Sequence, residues 1–301
     1  MTTMIHTQLR TRDPHQTVAW RRCHIRRLSA VAAGAMLAFA LAGCAGDDVT
    51  PAAADDSASV ADQSLAPTST STTSSKSARS NLPSEATLKT YFEGIAAGTV
   101  AGAEEAMDAA APGSMALAYA NYLRGNIQAM IDGGIAPPPE QPKVKKVDGG
   151  FGYCYTGSQA QCYTNTKITG KGDKVANFSV NDKPLKGRLY TGDDKPITAS
   201  GEDVQARFIA AYETTSDKDL IVVFSLKTGK SASLASVQGT YRSPEGRQSS
   251  ATITNGPIKL GTDSLANYAV VFPNASLGGN VTVTMFDESF QKESTLTLRT
   301  Q

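Results

Sequence analysis

The sequence predicts an α+β unit of three helices and an antiparallel sheet, then an all-β sandwich, both carried behind a leader and a polar tether. Three observations predict it. Apolar residues recur at helical spacing three times over residues 84–132, the period changes to two from residue 143 onward, and residues 45–82 hold almost no large apolar side chain. The expected divisions are a leader over 1–43, a tether over 44–82, the α+β unit over 83–191, a polar linker over 192–200 and the sandwich over 201–301.

The leader has three parts. Arg10, Arg12, Arg21, Arg22, Arg26 and Arg27 stand against a lone Asp13, and an apolar run follows over residues 28–42. That run is shorter than the roughly 20 residues of a permanent membrane helix, so it reads as the core of a secretory signal. Leu41-Ala42-Gly43-Cys44 closes it, immediately before the polar segment. These four residues resemble the lipobox of bacterial lipoproteins. The resemblance implies cleavage before Cys44, diacylglycerol on its thiol with chains such as palmitate, and residence on the extracytoplasmic face of the cell membrane. Two acyl chains hold stably where one holds marginally, at about 0.8 kcal/mol per buried CH₂. The alternatives are an ordinary secreted protein cut elsewhere and an uncleaved anchor. The leader, rich in Ala and Gly and using Arg without Lys, resembles actinobacterial leaders. Arg26-Arg27-Leu28-Ser29-Ala30 lacks the apolar pair of a twin-arginine signal, so the general and twin-arginine routes both stand.

Cleavage changes the chemical inventory. His6, His15, His24 and Trp20 all lie in the leader, so the mature chain has no histidine and no tryptophan. The six arginines and one aspartate lost with it turn a formal charge of +1 into one of −4, which argues against nucleic-acid binding through clustered cations. The 38 residues of tether beyond Cys44, nearly all Ala, Ser, Thr and Asp, span on average about 35 Å as a flexible chain.

Order begins near Leu82-Pro83-Ser84. Ser84 is the expected N-cap of a helix bearing Leu88, Tyr91, Phe92 and Ile95, which Gly98 ends. A second helix is expected over 100–111, ended by Pro112-Gly113. The third carries Met115, Ala118, Tyr119, Tyr122, Leu123, Ile127, Met130 and Ile131 on one face, with Ser114 as cap and Gly133-Gly134 as stop. Pro137-Pro138-Pro139 prevents its continuation. Strands are expected at 143–147, 150–156, 161–169, 175–180 and 185–190. This order of elements is similar to the cone-shaped domains of the nuclear transport factor 2-like kind, and the resemblance implies an apolar pocket between helices and sheet.

Cys154 and Cys162 lie in two alternating segments around a Gly157-Ser158 turn, a spacing that sets them opposite each other in a hairpin. In an oxidising compartment such a pair closes a structural disulfide. A redox-active pair is the alternative, but those are usually two residues apart at a helix start. In the same hairpin Tyr153 faces Tyr163 with Tyr155 beside them, either an aromatic face for sugar rings or core under the helices.

Beyond the polar linker, strands are expected at 204–214, 219–227, 233–242, 249–254, 265–272, 280–286 and 294–300, a count and spacing that fit an antiparallel sandwich. Asp219-Leu-Ile-Val-Val-Phe-Ser-Leu, Pro244-Glu-Gly-Arg and Leu265-Ala-Asn-Tyr-Ala-Val-Val-Phe-Pro resemble the immunoglobulin-like accessory domains of bacterial surface lipoproteins. The segment lacks the cysteine pair and tryptophan of an antibody domain.

Catalytic chemistry is poorly provided for. Without histidine, Ser-His-Asp, Cys-His and His-containing zinc sites are excluded in the mature chain, and no cofactor or metal motif appears. Ser179-Val-Asn181, Lys227-Thr-Gly229 and Ser289-Phe-Gln-Lys292 look like penicillin-binding signatures but come in the wrong order. The carboxylate pairs Glu104-Glu105, Asp193-Asp194 and Asp287-Glu288 are chain neighbours, which do not face each other across a cleft. Charge is polarised. Residues 143–195 hold ten Lys and Arg against five Asp, while the helices over 84–132 hold six acids against two bases, so the sheet either meets anionic envelope material or is simply solvated. The expectation is a non-enzymatic lipoprotein, anchored by Cys44, that binds or scaffolds an envelope protein, glycan or lipid. Carriage of an apolar ligand in the helix–sheet pocket is the alternative, and an enzyme using carboxylates alone is the third.

Overall fold

In the computed structural model, which describes residues 82–301 except 138–139, 157–160, 194 and 202, every helix opens on a hydroxyl cap. The helices are α1 (Glu85–Ala96), α2 (Val100–Ala109) and α3 (Met115–Asp132). Ser84 accepts the amide of Thr87 at 3.3 Å, Thr99 that of Gly102 at 3.1 Å and Ser114 that of Leu117 at 3.1 Å. Each such cap is worth about 1 kcal/mol. Ser84 and Ser114 are the expected caps, whereas Thr99 is hidden in sequence by the small residues around it. The leader, Cys44, the tether up to residue 81, the Gly157-Ser158 turn and Pro138-Pro139 lie outside the described residues.

Three antiparallel sheets follow. The first has five strands in chain order, β1 (Lys145–Val147), β2 (Gly150–Tyr155), β3 (Gln161–Gly170), β4 (Val175–Val180) and β5 (Lys183–Pro184). The second has six: β6 (Leu189–Thr191), β7 (Pro196–Thr198), β8 (Val204–Glu213), β9 (Leu220–Thr228), β12 (Ile253–Asn255) and β13 (Leu265–Phe272). They are ordered β12-β13-β9-β8-β6, with β7 also on β8. The third, ordered β11-β10-β14-β15, contains β10 (Ser236–Arg242), β11 (Gln248–Ser250), β14 (Asn280–Phe286) and β15 (Glu293–Arg299). Helices followed by antiparallel sheet, and then a two-sheet sandwich, is the expected class.

Three expectations are corrected in detail. The strand expected over 185–190 does not extend the first sheet: Leu185 is buried in the turn after β5, and Leu189–Thr191 pairs with β8 in the second. The polar segment 192–200 supplies β7, and Ser200 bridges to Thr295. An edge strand needs no apolar alternation, so its polarity reads as linker. The strand expected over 249–254 is two strands in different sheets. The chain crosses between them where the Ala251 amide donates to Gly239 O and the Thr252 amide to Val271 O, both at 2.9 Å.

Two cores result. In the sandwich, alternate residues of β8, β9 and β13, such as Phe208, Phe224 and Val270, meet Val281, Val283, Met285 and Leu298 from the facing sheet. The other core is an aromatic chain beneath the helices. Phe178 of β4 lies 5.6 Å from Tyr91, 5.5 Å from Phe92 and 5.5 Å from Tyr119 between ring centroids. Phe92 stacks on Phe151 of β2 at 4.9 Å, and Tyr119 and Tyr122 reach Tyr212 of β8 at 5.4 and 5.1 Å. The chain thus passes from the first sheet through the helices into the second.

Helix α3 departs from its sequence pattern for the same reason. Its fully buried positions are Ala116, Tyr119, Ala120, Tyr122, Gly125 and Ala129, while the expected Met115, Leu123, Ile127 and Met130 are only half-buried and Ile131 is exposed. A helix flanked by two sheets needs small residues where backbone and sheet approach. A β-carbon on Gly125 would sit 2.9 Å from Val223 Cγ1.

Candidate functional site

The hairpin of β2 and β3 holds the expected disulfide and the three candidate ligand-contacting tyrosines. Its register sets Tyr153 opposite Tyr163, Cys154 opposite Cys162 and Tyr155 opposite Gln161. Side chains alternate across a strand, so the tyrosines and the cysteines occupy opposite faces of the sheet.

On the inner face, Tyr153 is 6 % exposed and belongs to the aromatic core. Its ring lies 5.3 Å from Tyr163 and 5.8 Å from Tyr155. Tyr155 and Tyr163 are half-buried, and both hydroxyls are engaged. Tyr155 donates to the carbonyl of Ala96 at 3.0 Å, at the C-terminus of α1, and Tyr163 donates to Gln161 Oε1 at 2.7 Å. Burial pushes the Tyr163 phenol up to about 12 and raises Tyr153 and Tyr155 above the ordinary value, so all three are neutral at physiological pH. The three tyrosines are brought together, but as packing between sheet and helices.

On the outer face, Cys154 and Cys162 form a disulfide. It floors an open groove of about 480 Å³ together with Gly152 and Thr164, and the wall comes from Glu140 and Lys143, before β1, and from Lys145 at the start of β1. The groove offers two ammonium groups and one carboxylate around a sulfur and hydroxyl floor. Period-two alternation alone would have found it, since Gly152 and Cys154 must face away from Tyr153.

The other candidates are dispersed. Glu104 and Glu105 are exposed on α2, Asp193 pairs with Lys195 at 2.9 Å, and Asp194 lies outside the described residues. Asp287 accepts the Ser289 hydroxyl at 2.7 Å within a turn, while Glu288 meets Lys259 at 3.8 Å. Ser179 is buried on β4 in the first sheet, Lys227 is on β9 in the second, and Ser289 is in the β14–β15 turn of the third. Part of the positive charge over 143–195 is engaged locally. Lys146 pairs with Glu85 at 3.5 Å, Lys174 donates to the carbonyl of Asp108, and Arg188 pairs with Glu213 at 3.4 Å. Among the described residues there is no cluster of three or more metal-ligating side chains, and no helix is long and apolar enough to cross a membrane. No family model matches the chain, and no curated protein matches it at a significant level.

Proposed function

We propose that this protein is an exported lipoprotein, held on the extracytoplasmic face of a bacterial cell membrane by lipid on Cys44, that binds or scaffolds an envelope partner and catalyses nothing. The observation that carries the reading is Leu41-Ala42-Gly43-Cys44 at the junction of an apolar run and a polar tether. Its non-enzymatic character rests on chemistry: the cut before Cys44 removes every histidine, and the two remaining thiols are paired. The helical unit is read as a nuclear transport factor 2-like cone and the sandwich as an immunoglobulin-like accessory module, supported by the order of helices and antiparallel strands. Aromatic side chains occupy the space between helices and first sheet, which favours a surface contact over an internal apolar cargo.

Metabolic labelling of a bacterial host with an alkyne fatty acid, followed by mass spectrometry of the N-terminal peptide, tests the anchor. The expected result is label on Cys44 in the membrane fraction and its loss in Cys44→Ala. Unlabelled, soluble mature protein beginning at another residue would refute it.

A further inference from the structure

Helix α3 covers only half of the sheet face it lies on. Beneath it Ala210, Val223 and Ala269 sit side by side on β8, β9 and β13 and belong to the aromatic core. A bulge on β8 between Phe208 and Ala210 marks the change. Past it the rows turn polar: Arg207 opposes Ser225, which opposes Asn267, and in the next row Gln205 opposes Lys227, which opposes Leu265. The residues between them, Ala206, Leu226 and Ala266, enter the sandwich core, so the polar rows share one outward face. The helix borders this open half with Asn121, Arg124 and Gln128, whose spacing puts them on one side. The result is a groove of about 600 Å³, within the roughly 300–1,000 Å³ of small-molecule sites.

Its charge is one-sided. Among the described residues, Arg124, Arg207 and Lys227 line it and no carboxylate does, in a chain whose formal net charge is only +1. Arg124 pairs with Glu104 at 3.6 Å through one guanidinium nitrogen, and its Nε is buried without a hydrogen-bond partner among the described residues. Arg207 and Lys227 are exposed and form no ion pair among the described residues. Asp132, the nearest acid of α3, is already bonded to the amides of Asn267 and Gln128. Asp203 and Asp263 line the neighbouring hollow at the Lys227 end and mark the limit of the positive stretch.

Arg207 and Lys227, with Arg124 at the helix border, gather positive charge along one groove that an anion would offset, and a guanidinium fork matches a carboxylate or phosphate. The remaining lining is of side-chain amides, which donate and accept at once as sugar hydroxyls do. Asn121, Gln205 and Asn267 have no side-chain partner among the described residues. Ile209 and Leu265 add apolar surface for the ring carbons. We propose that this groove binds an anionic saccharide, with its carboxylate or phosphate held by Arg124, Arg207 and Lys227 and its hydroxyls by Asn121, Gln205 and Asn267. The groove stands apart from the disulfide hairpin, and the proposal holds whether or not Cys44 is acylated.

Calorimetric titration of the full chain with hexagalacturonate, its neutral methyl ester, a sugar-phosphate oligomer, inorganic phosphate and phosphatidylglycerol vesicles tests it. Either charged oligomer, or both, should bind, and the one that does identifies the anion. The methyl ester should bind weakly, and Arg207→Gln with Lys227→Gln should reduce the affinity by about tenfold or more. Both residues are exposed and form no ion pair among the described residues, so an unchanged circular dichroism spectrum and melting midpoint is the folding control. Equal binding by wild type and the double variant, affinity for inorganic phosphate equal to that for the saccharides, or binding to vesicles alone would each overturn the proposal.

Discussion

The backbone amide of Asn267, on β13, donates to the carboxylate of Asp132, in the last turn of α3, at 2.8 Å across 135 residues of sequence. The same carboxylate accepts from Gln128 Nε2, also at 2.8 Å. It is the polar latch that fixes the end of the helix to the sandwich. Asp132→Ala leaves a part-buried amide unpaired and should cost about 1–3 kcal/mol in urea denaturation. Asp132→Asn keeps an acceptor and should cost less, and hydrogen exchange at Asn267 should accelerate most in the alanine variant.

Gly125 tests the close approach of helix and sheet. Alanine is a better helix former by about 1 kcal/mol, but here its β-carbon meets Val223 at 2.9 Å and Ile209 at 3.2 Å. Gly125→Leu should destabilise by about 1–3 kcal/mol through overpacking, and Val223→Ala in the same chain should recover part of the loss. A full loss in the double variant, measured by denaturant titration, would mean that the contact is not the cause.

Asp173, in the turn between β3 and β4, should set part of the acid response. The amide of Ser84 donates to it at 2.6 Å, and the hydroxyls of Ser84 and Thr87 each donate at 3.0 Å. Those bonds, the backbone one foremost, hold its carboxyl below the ordinary value of 3.8. A depressed folded pKa stabilises above the unfolded pKa and ceases to do so as pH falls through the folded one. Melting midpoints followed from pH 6 down to pH 2 should therefore fall below pH 4, and Asp173→Asn should flatten part of that decline. Asp193, Glu245 and Asp287 are lowered as well and act in the same direction.

The disulfide closes a short loop, so its entropic contribution is modest, about 2.5 kcal/mol. Cys154→Ser with Cys162→Ser should lower unfolding stability by about that amount while leaving the spectrum of the sandwich unchanged. Because Cys154 and Cys162 face away from the tyrosines, ring packing at Tyr153 should persist in the double variant, read by near-ultraviolet circular dichroism.

Local grammar made most of this architecture legible. Hydroxyl caps at Ser84 and Ser114, glycine stops, the change of period near residue 143 and the pairing of Cys154 with Cys162 are written in neighbouring residues. What depends on distant partners was hidden. Leu189 looks like a strand of the first sheet because nothing local says that Tyr212 waits opposite it. The large residues of α3 look like its buried stripe because the demand for Ala and Gly comes from β8 and β9. The hairpin's tyrosines read as core more readily than as contact surface, and the bonds of their hydroxyls to Ala96 and Gln161 appear only in the fold. The cationic groove was invisible for the same reason, since Arg124 comes from a helix far in sequence from the paired strands β8 and β9 that carry Arg207 and Lys227.

The ring contacts of Tyr119 and Tyr122 with Tyr212 make the helices and the second sheet mutually dependent. A scissile site engineered into residues 192–200 would not release two self-sufficient pieces, because each would carry away an unpartnered half of the same aromatic seam. Among the described residues, a cut that leaves the seam whole has to fall outside the stretch from Tyr119 to Tyr212.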